Sequence, residues 1–419
     1  MTSHVPQRGE TDTRRPSRLL GQGGAPGTFS SRERMLAALS CQPADHPPCC
    51  FMQFTALESQ CRDQYEMVDR LLAWGLDATV QAPPWLLTVP GDTCDLRGLP
   101  VQFHLSVQVR EWAEHKPGAR YTTLWKEYAT PAGTLRTRVS QTEDWPYGDH
   151  VPFLDDFVVP RARKPLVTQA DDLPVLRYLL QPPSAQVIQE FREQARVAKA
   201  FARERGVLVS GGASAGADLA GWLCGLQELI YRAVDDPGLV EELMTLLATW
   251  NLERMQVVVE EGIDLWVRRA WYESCDFWSP RLYRRFILPH LREEVALAHA
   301  HGARYGYIMT SGVMPLLDLI LGAGVDVLIG VDPLKGGADL AVMKQKAQGR
   351  LCLWGGVNAA LTVERGTPDE VRTAVRQACD TLAPGGGFIL APVDEVDDRS
   401  DHAWNNVQAF IDAWKEWGP

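Results

Sequence analysis

Residues 271–280 read WYESCDFWSP, a carboxylate, a thiol and a second carboxylate set among four aromatic rings. Carboxylates held among rings can keep a proton to higher pH, which suits a general acid or base. Glu273 is therefore the candidate acid or base, Cys275 and Asp276 its catalytic neighbours, and Tyr272 a contact for the ligand. The structural alternative is that Ser279-Pro280 opens a helix, Asp276 helps to cap it and the rings belong to the core. Other polar residues stand directly behind short apolar runs: Thr310, Ser311 and Gly312 after ARYGYIM, Asp332 after VDVLIG, Asn358 after LCLWGGV, and Asp394 and Glu395 after GFILAP. Ser311, Asp332, Asn358 and Asp394 are expected to orient a ligand, although an Asp in such a place also caps a following helix. GASAGAD adds Ser210, Ser214 and Asp218 around residues small enough to admit a ligand to the backbone.

These groups meet only if the elements that carry them converge. A capping box, Ser30 with Glu33, opens a first helix to about Ser40, and CCFM, a helix near Tyr65–Trp74 and DATVQA follow in β-α-β order. The strands GVLVSG, DLWVRRA, ARYGYIM, VDVLIG, LCLWGGV and GFILAP then recur with helical stretches between them, such as 185–205, 280–300 and 367–382. That alternation specifies a parallel sheet under helices. Its count, and the lack of G-x-G-x-x-G after an early strand, favour an α/β fold of the (β/α)8 TIM-barrel type, whose chemistry sits at the strand C-termini. Residues 86–145 change character. Two Thr- and aromatic-rich runs joined by Pro131-Ala132-Gly133 read as a β-hairpin inserted over the mouth. The expected organisation is a flexible leader, 1–29, and one barrel, 30–419. His299 and His301, two apart near a helix end, point in different directions and read as surface. Gly385-Gly386-Gly387 is a turn, since no G-K-[ST] follows.

Composition narrows the function. The chain has 419 residues, 45% hydrophobic and 23% charged, enough for a sizeable core, and a formal charge of −11 that argues against nucleic acid or an anionic membrane as partner. Nine scattered cysteines without a C-x-x-C pair read as reduced thiols. No apolar signal core or spanning segment is evident, so a cytoplasmic location is expected, with a small molecule as ligand.

RERMLAALSCQPADHPP, the run SPRLYRRFILPHLREEVALAHAHGARYGYIMTSGVMPLLDLI and the run LWGGVNAALTVERGTPDEVRTAVRQACDTLAPGGGFILAP resemble the uroporphyrinogen decarboxylase superfamily, which also contains cobalamin-dependent methyltransferases. The resemblance spans most of residues 31–416 and implies the same barrel. It implies either decarboxylase-like (lyase) chemistry or methyl transfer with a corrinoid protein. A corrinoid would arrive on a partner, because the D-x-H-x-x-G pattern is absent; a homodimer is also compatible. The decarboxylases carry an arginine-containing M-R-Q-A-G-R segment and an aspartate at the next strand end. Here those places read CCFMQFTALESQ and QAPPW, so the clamp for an acidic porphyrinogen is missing. The methyltransferases place zinc ligands H-x-C where Met309 to Ser311 stand and a Cys where Asp394 stands. Zinc then has only a residual set, Glu273, Cys275 and Asp394, to bind. A non-catalytic ligand-binding barrel is the alternative to an enzyme.

Overall fold

The structure is a computed structural model that describes residues 29–82, 99 and 101–418. The expected leader up to residue 28, and residues 86–98 and 100 of the expected insertion, lie outside the described residues. Seven strands form one parallel sheet in chain order: β1 (Thr79–Gln81), β6 (Leu208–Ala215), β7 (Leu265–Arg269), β8 (Arg304–Ile308), β9 (Val327–Val331), β10 (Cys352–Asn358) and β11 (Phe388–Val393). β9, VLIGV, is buried along its whole length, as expected of a parallel strand covered on both faces.

The segment expected as the first strand, CCFM, closes the sheet. Cys49 pairs with Leu390 and Gln53 with Glu395 in parallel bridges, while Asp77 N donates to Cys49 O at 2.8 Å on the other side. The result is an eight-segment ring with helices outside, the (β/α)8 barrel that the alternation specifies. The capped helix Ser31–Leu39 plugs its N-terminal end. Met35, Ala38 and Leu39 pack with Leu208, Leu265, Val327, Cys352 and Ile389 in one buried cluster. Arg34 fixes the plug through Asp77 at 2.7 Å, where the aspartate is fully buried. With that end filled, the C-terminal mouth is left for function.

The insertion is larger than a hairpin. β3 (Thr122–Thr130) and β4 (Gly133–Gln141) form the expected pair, but β2 (Gln108–Glu114) and β5 (Ala162–Lys164) extend it to four antiparallel strands. The sheet therefore runs past residue 145 to Lys164. β5 has only three residues and a register shift against β4, too little alternation to be read as a strand in sequence. The insertion has its own small core of Leu124, Val139, Trp145, Val151 and Val158, and its following loop, 153–158, comes down onto the barrel.

Candidate active site at the barrel mouth

β7 separates two adjacent arginines by the period of two of a strand. Leu265 and Val267 line the barrel cavity, so Arg269 stands on the same side at the mouth, while Trp266 and Arg268 turn outward to the helices. Arg268 is buried with two carboxylates. Its Nη2 and Nε meet Glu273 at 2.7 and 3.2 Å, and its Nη1 meets Glu294 at 2.7 Å. Burial works against the guanidinium charge, and Glu273 and Glu294 more than restore it, so Arg268 stays cationic. Around this trio Tyr305 donates to Glu294 at 2.6 Å, Ser214 to Glu294, Tyr307 to Glu273, and Ala217 N to Glu273 at 2.9 Å. Burial, with the carboxylates adding to it, pushes both tyrosine hydroxyls far above their ordinary range, so they are neutral donors. Gly216 is required here: a Cβ would come within 1.9 Å of Arg268 Nη2 and 2.4 Å of Glu273 Oε1.

On the mouth side, Arg269 lies between Trp222 and Trp271, with its guanidinium carbon 4.9 and 4.3 Å from their ring centres. Its Nε donates at 2.9 Å to Asp218, a fully buried carboxylate that also accepts the backbone N–H of Tyr272 at 2.7 Å and of Trp271 at 3.2 Å. Burial pushes Asp218 up to about 7; Arg269 opposes that rise, and Glu273 adds to it. Trp271 continues inward. It lines a cavity of about 70 Å³ together with Gln53, Thr79, Gln81, Ser210, Ile308 and Trp354, and its indole N–H reaches Asp394 at 3.3 Å. Asp394, directly after β11, is half-buried and holds a left-handed backbone (φ 69°), uncommon for a residue with a side chain. Burial raises its affinity for a proton; the Trp271 bond opposes this, Asp332 adds to it and Lys335 opposes it.

The residues singled out in sequence thus fall into separate groups. Glu273 is fully buried behind β7 rather than in the mouth, and both of its oxygens are taken. Cys275 and Asp276 sit on the rim. Asp276 accepts Ser311 Oγ and, at 3.2 Å, Ser274 Oγ, while Cys275 N bonds Gly312 O at 3.2 Å. Burial and the Asp276 charge raise the Cys275 thiol. Ser279, not Asp276, caps the helix that follows. Asp332 and Asn358, both 2% exposed, bond each other at 2.6 Å and tie the ends of β9 and β10, and each also caps a local turn, at Leu334 N and Leu361 N. Tyr272 OH donates to Asp156 at 3.0 Å. Of the candidates, Ser210 lines the cavity directly, and Asp394 stands beside it through its bond to Trp271. Sequence reasoning missed Arg269, Trp222 and Asp156. The double arginine at the end of an apolar strand was the available signal for the first, since period-two alternation must send one of the pair inward.

Zinc does not fit this donor set. At the place of the expected ligands Met309 is fully buried and Ser311 is bonded to Asp276, and Glu273 is held by Arg268 away from Asp394. Among the described residues no three His, Cys, Asp or Glu side chains gather as metal ligands.

An α/β barrel with a pocket at its C-terminal mouth is the class that fold and site define. Residues 143–417 match the family described as Uroporphyrinogen decarboxylase (URO-D), and the chain belongs to that family. Among solved structures, a methyltransferase from Methanosarcina mazei is 17% identical, covering 93% of this chain and 99% of that one with a TM-score of 0.56, a likeness of fold. A B12-independent methionine synthase from Shewanella sp. W3-18-1 is more distant, 9% identical over 56% of this chain and 67% of that one, with a TM-score of 0.41. No curated protein matches the sequence. Among the described residues no helix is long and apolar enough to cross a membrane.

Proposed function

We propose that this protein is a decarboxylase-like lyase acting on a small organic acid at the barrel mouth, with Asp394 as the proton donor. The observation that carries the reading is the Asp394 carboxyl itself. It is half-buried beside the cavity in a left-handed backbone, and its hold on the proton is strengthened by burial. A group poised in this way can deliver a proton to carbon.

The small cavity and its amide and hydroxyl rim, Gln53, Gln81, Thr79 and Ser210, suit a compact substrate and not a tetrapyrrole. Such a substrate must carry its own electron sink, as a β-keto acid or a heteroaromatic acetic acid does. The bond to the carboxylate breaks, its electron pair passes into the sink, and CO2 leaves. The carbon then takes the Asp394 proton, and solvent restores it. Glu273 has a positioning role here: with Arg268 it fixes the Ala217 backbone, where the helix Ala217–Cys224 that carries Asp218 begins.

The test is a panel of β-keto and heteroaromatic acetic acids incubated in D2O, with CO2 and deuterium at the product carbon as readouts. Asp394→Asn should cut turnover by about 100-fold or more. Unchanged turnover in that variant would exclude Asp394 as the donor. A non-catalytic binding barrel is the second reading, favoured by the polar side chains that are already spent on internal bonds: Ser311 on Asp276, Asp332 on Asn358, Glu273 on Arg268. Binding of a panel member without CO2 release on long incubation would select it.

A further inference from the structure

Asp156 belongs to the insertion loop, yet the three donors bonded to its carboxylate belong to the barrel. Oδ1 accepts Trp222 Nε1 at 2.7 Å and Tyr272 OH at 3.0 Å, and Oδ2 accepts Arg269 Nη2. The donors are held independently of Asp156. Arg269 is gripped by two indole faces and by Asp218, Trp222 is 6% exposed, and the Tyr272 backbone is bonded to Asp218. A guanidinium fixed in plane, with two aromatic donors beside it, is the chemistry that recognises a carboxylate. The occupant is held less deeply than its cradle: the Asp156 side chain is 40% exposed, against 22% for Arg269, and the next residue, Phe157, is an exposed ring. Trp271 joins the cradle to the cavity, with its ring over Arg269 and its N–H on Asp394.

We infer that Trp222, Arg269 and Tyr272 form a carboxylate-binding subsite that Asp156 occupies from within the chain, and that a small organic acid enters by exchanging its own carboxylate for that of Asp156. The exchange makes and breaks hydrogen bonds only. It also releases the insertion loop from the mouth, so ligand entry and loop opening are one event. The inference rests on the reading of the mouth as an organic-acid site and names the part of it that holds the acid group.

A tethered competitor that fills a site nine-tenths of the time weakens the apparent affinity of a free ligand about tenfold. Butyrate is the probe, with butyramide as its uncharged control, titrated into the full chain and followed by tryptophan fluorescence. Asp156→Ala should tighten butyrate binding about tenfold and leave butyramide unchanged, and adding Arg269→Gln to that variant should remove the gain. An unchanged or weaker butyrate affinity in Asp156→Ala, or an equal gain for butyramide, overturns the inference. Should Asp156→Ala fail to fold, hydrogen exchange of the unaltered protein decides: amides of residues 155–158 should exchange faster with butyrate than with butyramide, and equal rates overturn it. Asp394→Asn separates the two readings. Lost turnover with butyrate binding intact supports both, whereas unchanged turnover with intact butyrate binding removes the proton donor and leaves the subsite.

Discussion

Replacing Asp218 by Asn should change how stability depends on pH, by an amount that the site itself sets. In the folded chain burial lifts this carboxyl from its ordinary 3.8 to about 7, against the pull of Arg269. The folded state therefore binds a proton that the unfolded state has already released between about pH 4 and pH 7, and there stability falls as pH rises. Below that window both states are protonated, and above it both are ionised, so the contribution of Asp218 is fully present in acid and lost by neutral pH. Three pH units at about 1.36 kcal/mol each give about 4 kcal/mol as the size of the loss. Asn cannot titrate. Its fixed cost, from the lost acceptor for Arg269 Nε and for one of the two backbone N–H groups, is about 1–3 kcal/mol at every pH. The variant should thus be less stable than the parent near pH 4.5 and gain on it steadily, by roughly 3 kcal/mol, towards pH 8. Urea unfolding of both proteins, followed by tryptophan fluorescence at half-unit pH steps, measures the difference and cancels the other titrating groups. A difference that stays flat, or that runs the other way, would mean Asp218 is ionised throughout and is held by Arg269 as an ordinary ion pair.

Arg268→Met should destabilise the protein by about 3–5 kcal/mol in the same urea assay, because it leaves Glu273 and Glu294 buried without their cation. A loss below about 1 kcal/mol would refute the role given to this pair. Trp271→Phe keeps a ring over Arg269 but drops the N–H that favours the ionised form of Asp394. With that bond gone the carboxyl holds its proton to still higher pH, so the alkaline limb of the decarboxylation pH profile should move upward, and a limb that stays put or moves down contradicts Asp394 as the acid.

The barrel was legible because its signals are local and repeated. The strands β7 to β11 are largely apolar runs of five to seven residues, Ser30 with Glu33 and Thr367 with Glu370 announce helix starts, and Pro131-Ala132 sits at the tip of the hairpin. What failed to read out was direction. WYESCDFWSP looked like one chemical unit, but its residues turn three ways. Glu273 points back to Arg268, Trp271 points into the cavity, and Asp276 faces the rim with Ser311. Outside a strand or a long helix no fixed period assigns a side chain to a face, and here the short 3-10 turn Trp271–Glu273 sets the directions. Partners distant in sequence set the rest. Arg269 depends on Asp218, 51 residues away, and on Asp156, 113 residues away, and neither spacing leaves a mark in composition or periodicity. The one local clue was the Arg268-Arg269 pair. In an alternating strand, two adjacent charges cannot both face solvent or both face the core, so one had to be neutralised among the helices and the other at the mouth. That requirement, followed outward from β7, leads to Glu273 and Glu294 on one side and to Asp218 and Asp156 on the other. Of the acidic residues singled out in the sequence, Glu273 and Asp218 are therefore counter-charges of the two arginines, Asp276 and Asp332 are bonded to Ser311 and Asn358, and Asp394, bonded to the cavity-lining Trp271, is the one proposed here as the proton donor.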